Sequence, residues 1–401
     1  MDENTIYCVD IPGTALTNNE GTAYVGTAYT FQSKYSYGQL WMWGGGASGT
    51  NATNNETDYS SPVQIPGLTW SKIRNTGYED LEGWGALKTD GTRWMWGINS
   101  YANFGDNSRV AKSSPVQVPG TTWGSVFAVG RTATFWVKTD GTLWVNGQYN
   151  NGGLLGQNSN VNYSSPVQIY GGGTNWGPKV VPNVYAGGAL KTDGTLWTWG
   201  SSAQGTLGLN QGSSNIQLSS PTQVPGTTWS DLDGNTYDMA AVKSDGTLWT
   251  WGVNSKGQLG LNNQVKYSSP TQIPGTTWAN VHVGKMNMMA LKTDGTLWAW
   301  GWNEYGVLAG GLAHDAHRSS PVQIPGTTWS SKFSISSHAL ATKTDGTLWA
   351  WGNNSDGNGA GYLGLNNEIS YSSPVQIGSD TTWSWTALSS LNSGAIKTIE
   401  G

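Results

Sequence analysis

Charge is scarce in this chain. Only 11% of its 401 residues are Asp, Glu, Lys or Arg, and the net charge is −5. That balance excludes the whole-chain basic footprint expected of a nucleic-acid binder. Cysteine is nearly absent. Cys8 stands alone, so there is no intrachain disulfide framework, and no partner motif makes it a nucleophile. No run of eighteen apolar residues occurs, which leaves no candidate membrane helix. The start, Met1-Asp2-Glu3-Asn4, is acidic and leads into no apolar segment. No secretory signal is expected from it, and synthesis in a cytoplasm is. A chain this polar, rich in Gly, Ser, Thr and Asn, invites a disordered reading. Its 24 Trp and 17 Tyr oppose that, because disordered chains lack the aromatics that would offset the entropy of ordering.

The tryptophans are periodic. A unit A-L-K-T-D-G-T-L-W-x-W-G, a loop, then S-S-P-V-Q-I-P-G-T-T-W recurs along the chain. The first Trp of W-x-W falls at Trp41, Trp94, Trp144, Trp197, Trp249, Trp298 and Trp349, a period near 50. Such a period indicates a propeller or a solenoid. Asp-Gly between alternating segments, as at Asp193-Gly194, is a hairpin signal and suggests a two-residue type I′ turn. Repeated hairpins without helical pattern predict an all-β fold: a seven-bladed propeller of four-stranded antiparallel blades. A two-residue turn would put Trp199 opposite Gly188 and Trp96 opposite Gly85, with Leu190, Trp197 and Trp199 on one face. In the third unit Asn146 replaces the second Trp, and Phe135 would then fill the space from the opposite strand. Twenty of the 24 Trp belong to this framework and are expected in the core.

Seven W-x-W elements face eight candidate Lys-bearing strands. Trp383 to Lys397 repeats the 14-residue spacing of Trp278 to Lys292 and Trp329 to Lys343. Residues 379–399 are therefore expected to complete blade one against Leu40–Trp43, removing the exposed sheet edges. Residues 1–30 become an N-terminal arm or tether, and 31–401 the propeller. The rival reading places residues 11–38 in blade one.

The segment Trp251-Gly252-Val253-Asn254-Ser255-Lys256-Gly257-Gln258-Leu259-Gly260, preceded by Ala241-Val242-Lys243-Ser244-Asp245-Gly246, resembles the signature of the regulator of chromosome condensation family. The likeness recurs over about residues 38–398. It implies a seven-bladed ring and protein binding through one face, but no single activity. The near-identical units are most similar to bacterial and bacteriophage repeat proteins.

Chemistry is thin. His314-Asp315-Ala316-His317 lacks a third dependable metal ligand. Asp231-Leu232-Asp233-Gly234-Asn235 lacks the spacing of a calcium loop and reads as a polar connection. His338 reads as structural. The repeated Asp belongs to its turn, and no phosphate or dinucleotide fingerprint occurs. No catalytic residue, metal or cofactor is expected. The repeating Lys (88, 138, 191, 243, 292, 343, 397) could form an anion-binding ring. Alternatively, each lays its stem on a facing Leu, as Lys191 on Leu196, with its head near the turn Asp.

Departures from the repeat supply the candidate binding residues. Tyr78, Glu79, Asp80, Glu82 and Trp84 lie in or beside the one enlarged strand connection. Tyr101 and Phe104, Tyr149, and Trp302 with Tyr305 stand in the loops after W-x-W. The expected function is a non-catalytic macromolecule-binding propeller, structural or adhesive, such as a bacteriophage virion decoration or tail protein. The alternatives are a regulator or inhibitor of an enzyme or small GTPase, and a carbohydrate-binding propeller. Expected partners are proteins, with a capsid or tail assembly or a glycan among the candidates; nucleic acid and membrane are not.

Overall fold

The computed structural model describes residues 6–9, 29–32, 36–75, 83–148, 150–211, 216–310, 315–355 and 360–400. Seven four-stranded antiparallel sheets form blades, and a separate ribbon pairs Ile6–Val9 with Tyr29–Gln32. We letter the strands of each blade a to d from the axis outward. Blade 5 has a at Trp229–Gly234, b at Asp238–Lys243, c at Leu248–Gly252 and d at Tyr267–Ile273. Each strand a packs on the strand a of the next blade, including the last on the first, so the ring is closed.

Closure is the C-terminal latch. Asn392–Glu400 pairs with Ser36–Gly44 from Ser36↔Glu400 to Gly44↔Asn392, and Trp383–Leu388 adds strand a. Six blades join b to c through an Asp-Gly turn. In blade 1 that turn is replaced by the two ends of the chain.

The turn differs from the one expected, and the register shifts with it. Gly194 N–H donates to Lys191 O at 3.0 Å, and Lys191 N–H donates to Thr195 O at 2.9 Å. Gly194 has φ +78° while Asp193 stays at negative φ. This is a three-residue loop, a type I turn closed by a glycine bulge. Asp193 accepts from the Thr195 N–H at 3.0 Å and hydroxyl at 2.6 Å, and Thr195 Oγ1 accepts from Trp197 Nε1 at 2.8 Å. The T-D-G-T-L-W string is thus a hydrogen-bonded relay. Trp199 therefore faces Gly187, not Gly188, and Trp96 faces Trp84, not Gly85. Leu190 pairs with Leu196, on the face opposite Trp197 and Trp199.

The two faces of a blade do different work. The second Trp of each c strand reaches the preceding blade and donates to a loop carbonyl there. Trp199 reaches Leu154 O at 2.7 Å, Trp251 reaches Thr206 O at 2.8 Å, and Trp43 reaches Tyr362 O at 2.9 Å across the latch. The opposite face offers Leu190 and Leu196 to Trp229 and Trp251 of the next blade.

Blade 3 solves the missing Trp differently from the expected swap. Asn146 pairs with Thr134, and Phe135 with Val145. Asn146 Nδ2 takes over the loop carbonyl, donating to Asn103 O at 2.9 Å. The volume comes from Trp136, where the other blades carry Ala, and Arg93, where they carry Leu. Trp136 stacks on Phe127 at 4.2 Å, and the Arg93 guanidinium lies 4.4 Å from Trp123 and 4.5 Å from Trp136.

A candidate binding site in the central channel

The a strands line the axis. They begin at the T-T-W tryptophans: Trp383–Leu388, Trp70–Arg74, Trp123–Val129, Trp176–Pro182, Trp229–Gly234, Trp278–Val283 and Trp329–Ile335. Ile73, Phe127, Val180, Leu232, Val281, Phe333 and Thr386 occupy one level, set by their partners on strand b. Residues flanking this level border a channel cavity of about 220 Å³. On the side toward the T-T-W end the ring reads Trp385, Lys72, Val126, Lys179, Asp231, Asn280 and Lys332. On the other side Arg74, Asp233 and His282 supply the charged and titratable groups.

Four cations therefore face two carboxylates in a chain whose net charge is −5. Asp231 is paired with Lys179, whereas Asp233 acts on Arg74 without an ion pair. Asp231 sits 2.6 Å from Lys179 Nζ and accepts from the Val281 N–H at 3.0 Å; Asp233 accepts from the Val283 N–H at 2.9 Å. His282 Nδ1 lies 3.8 Å from Asp233 but accepts from the Ile335 N–H at 3.4 Å, which marks the ring as neutral. Burial lowers its pKa, with Asp233 opposing.

The other three cations gather around one indole. Lys332 Nζ lies 4.2 Å, Arg74 Cζ 4.8 Å and Lys72 Nζ 5.1 Å from the Trp385 ring centroid. Trp385 Nε1 is anchored on Ile73 O at 2.8 Å. Lys72 donates to Ser125 O at 3.0 Å. Burial first, then the neighbouring positive charges of Arg74, Lys332 and Lys179, pull Lys72 down to about 8. Lys332 is lowered for the same reasons, desolvation leading.

The residues singled out from sequence lie elsewhere. Trp84 is fully buried, stacked on Trp96 at 6.3 Å, and Phe104 is buried in the same way. Tyr101, Trp302 and Tyr305 are half-buried in their loops, with Arg131 5.7 Å from the Tyr101 ring and Lys285 5.8 Å from Trp302. Tyr78, Glu79, Asp80, Glu82 and Tyr149 fall outside the described residues, as does His314. In the observed register Leu196 faces Leu190 rather than Lys191, whose backbone bonds to Thr195. The ammonium of each repeating lysine sits 3.9–5.2 Å from the two indoles of its own blade, so the group is engaged by cation–π contact. Asp231 and Asp233, read as a connection, belong to a strand. The channel residues carried a readable signal: W-S-K-I-R, W-S-D-L-D and W-A-N-V-H alternate polar and apolar after each T-T-W tryptophan.

Residues 245–291 and 294–338 match the regulator of chromosome condensation (RCC1) repeat, and 336–358 match a second description of it. The residues matched are RCC1 repeats. Among curated proteins, the mitochondrial RCC1 domain-containing protein RUG3 of Arabidopsis thaliana is 28% identical over 246 residues, 57% of this chain and 53% of that protein. The ultraviolet-B receptor UVR8 of the same plant is 25% identical over 248 residues, 60% of this chain and 54% of its own length. The chain thus spans about half the length of the curated relatives it matches. Among solved structures, Prp20p from Saccharomyces cerevisiae superposes with a TM-score of 0.76 at 16% identity, covering 91% of this chain and 92% of that one. Human WBSCR16 gives 0.75 at 17% identity, covering 90% and 98%. These two likenesses show a shared fold.

Proposed function

We propose that the chain is a protein-binding regulator that holds its partner on one face of the ring, without catalysis of its own. The observation that carries this reading is the channel. The equivalent positions vary from blade to blade, with Val126 and Ala128 in blade 3 and Asn280 in blade 6, so the fold does not require a cation at each of them. The relatives support it: yeast RCC1 (Prp20) is solved bound to Kap60, and Prp20p is described by its binding to Gsp1p and histones. Electrostatic patches of this kind set on-rate and partner choice.

The test is affinity capture from extract of the source cells, comparing the wild-type chain with Arg74→Glu/Lys332→Glu. A partner recovered near 1:1 by the wild type and lost from the variant supports the reading. Recovery in many copies on a large particle would favour the virion or adhesive role instead. Binding confined to a glycan array would favour a carbohydrate partner.

A further inference from the structure

We infer that the central channel holds one small oxyanion, a carboxylate or phosphate group, between Arg74, Lys332 and Lys72 beside Trp385. This goes beyond the protein-binding reading and does not depend on it. Lys179 is paired with Asp231 at 2.6 Å, and one further oxygen of each carboxylate accepts from the Val281 or Val283 N–H group. Among the described residues no carboxylate pairs with Arg74, Lys72 or Lys332. All three lie within 5.1 Å of one ring centroid in a cavity of about 220 Å³.

An indole face attracts each cation but does not neutralise it, and Asp233 and Asp231, which favour the Arg74 cation, offset the mutual repulsion of the three positive groups only in part. An oxyanion resolves this. The planar guanidinium presents a fork to two oxygens and the ammonium groups supply further donors, all charge-assisted. The structural alternative, three cations gathered only to pack Trp385, is weak, because blades 3 and 6 place Val126, Ala128 and Asn280 at corresponding positions. The cavity volume limits the occupant to a small anion or to one acidic group presented by something larger.

The pH behaviour follows from the groups that face the site: Lys72, Arg74, Lys179, Lys332, Asp231, Asp233 and His282. A bound anion stabilises the protonated Lys72 amine, so binding near pH 8 takes up a proton and affinity falls as pH rises above 8.

The experiment is isothermal titration of the purified full chain with inorganic phosphate, citrate and a Glu-rich hexapeptide, at fixed ionic strength. Buffers of different ionisation heat read the proton uptake. The expected result is 1:1 binding of phosphate or citrate, weakened at least tenfold by Lys332→Met and by Arg74→Met. Asp233→Asn should tighten it severalfold, an effect that damaged folding cannot mimic. Binding of the peptide alone, with the same response to the variants, supports the site and assigns its anion to an acidic side chain of a protein. Absence of binding with all three probes, or binding indifferent to Lys332→Met and Asp233→Asn, overturns the inference.

Discussion

Arg93 is a fully buried cation whose Nη2 donates to Phe104 O at 2.9 Å while its guanidinium lies 4.4 Å from the Trp123 ring and 4.5 Å from the Trp136 ring. Burial lowers its pKa, and Asp106 opposes that. Arg93, Trp136 and Asn146 are three departures from the repeat that share one space, so their effects should be strongly non-additive. Asn146→Trp alone overpacks that space and should cost roughly 1–3 kcal/mol. Adding Arg93→Leu and Trp136→Ala, which restores the pattern of the other blades, should recover most of the loss in urea denaturation. Asp238 gives a second residue-scale prediction. Burial raises its carboxyl from 3.8 to about 8, against hydrogen bonds from the Gln258 side chain and the Val253 backbone. Its stabilising contribution is therefore complete below pH 4 and lost as pH rises through 8. Blades 1 and 6 carry Asn392 and Asn287 at this position. Asp238→Asn should accordingly gain stability over the wild type, by a margin that widens from pH 4 to 8. His338 acts in the opposite sense: burial depresses it to about 3, so its contribution is present above pH 6.5 and fades as pH falls toward 3.

At the scale of elements, the Asp-Gly hairpins and the latch perform the same joining of strand b to strand c. One is covalent; the other relies on pairing alone. Deleting residues 383–401 removes strands a and b of blade 1 and bares the inner edge of Ser36–Gly44. The truncated chain should lose its cooperative unfolding transition and self-associate, as light scattering after size exclusion would show. A soluble, cooperatively folding monomer would contradict this account of closure. At the rim the edge problem is met differently, because each d strand carries a proline: Pro62, Pro115, Pro166, Pro221, Pro270, Pro321 and Pro374. Period, blade number and latch were all readable from the chain, since each rests on spacing between identical residues. The register was not. A two-residue turn and a three-residue turn with a bulge use the same Asp-Gly pair, and they differ by one position in every facing residue. That single step hid Trp84 against Trp96 and the true compensation for Asn146.

Across the whole molecule, each blade depends on both neighbours: its tryptophans bond to loops behind it and its leucines pack ahead. A closed ring of this kind should unfold as one unit. Gly194→Ala in blade 4 and Gly295→Ala in blade 6 replace glycines at φ +78° and +79°. Each should cost about 1 kcal/mol, lowering one shared calorimetric transition rather than splitting it. What the sequence by itself determined was the architecture: seven units, their strands, the core tryptophans and the C-terminal closure. Repetition states these many times over, so a single departure cannot mask them. What only the tertiary structure decided was the site. Trp385, Lys72, Arg74 and Lys332 come from three strands as far as 313 positions apart in the chain, and a net charge of −5 conceals a cationic channel. Charges act through space, and only closing the ring brings these to one axis.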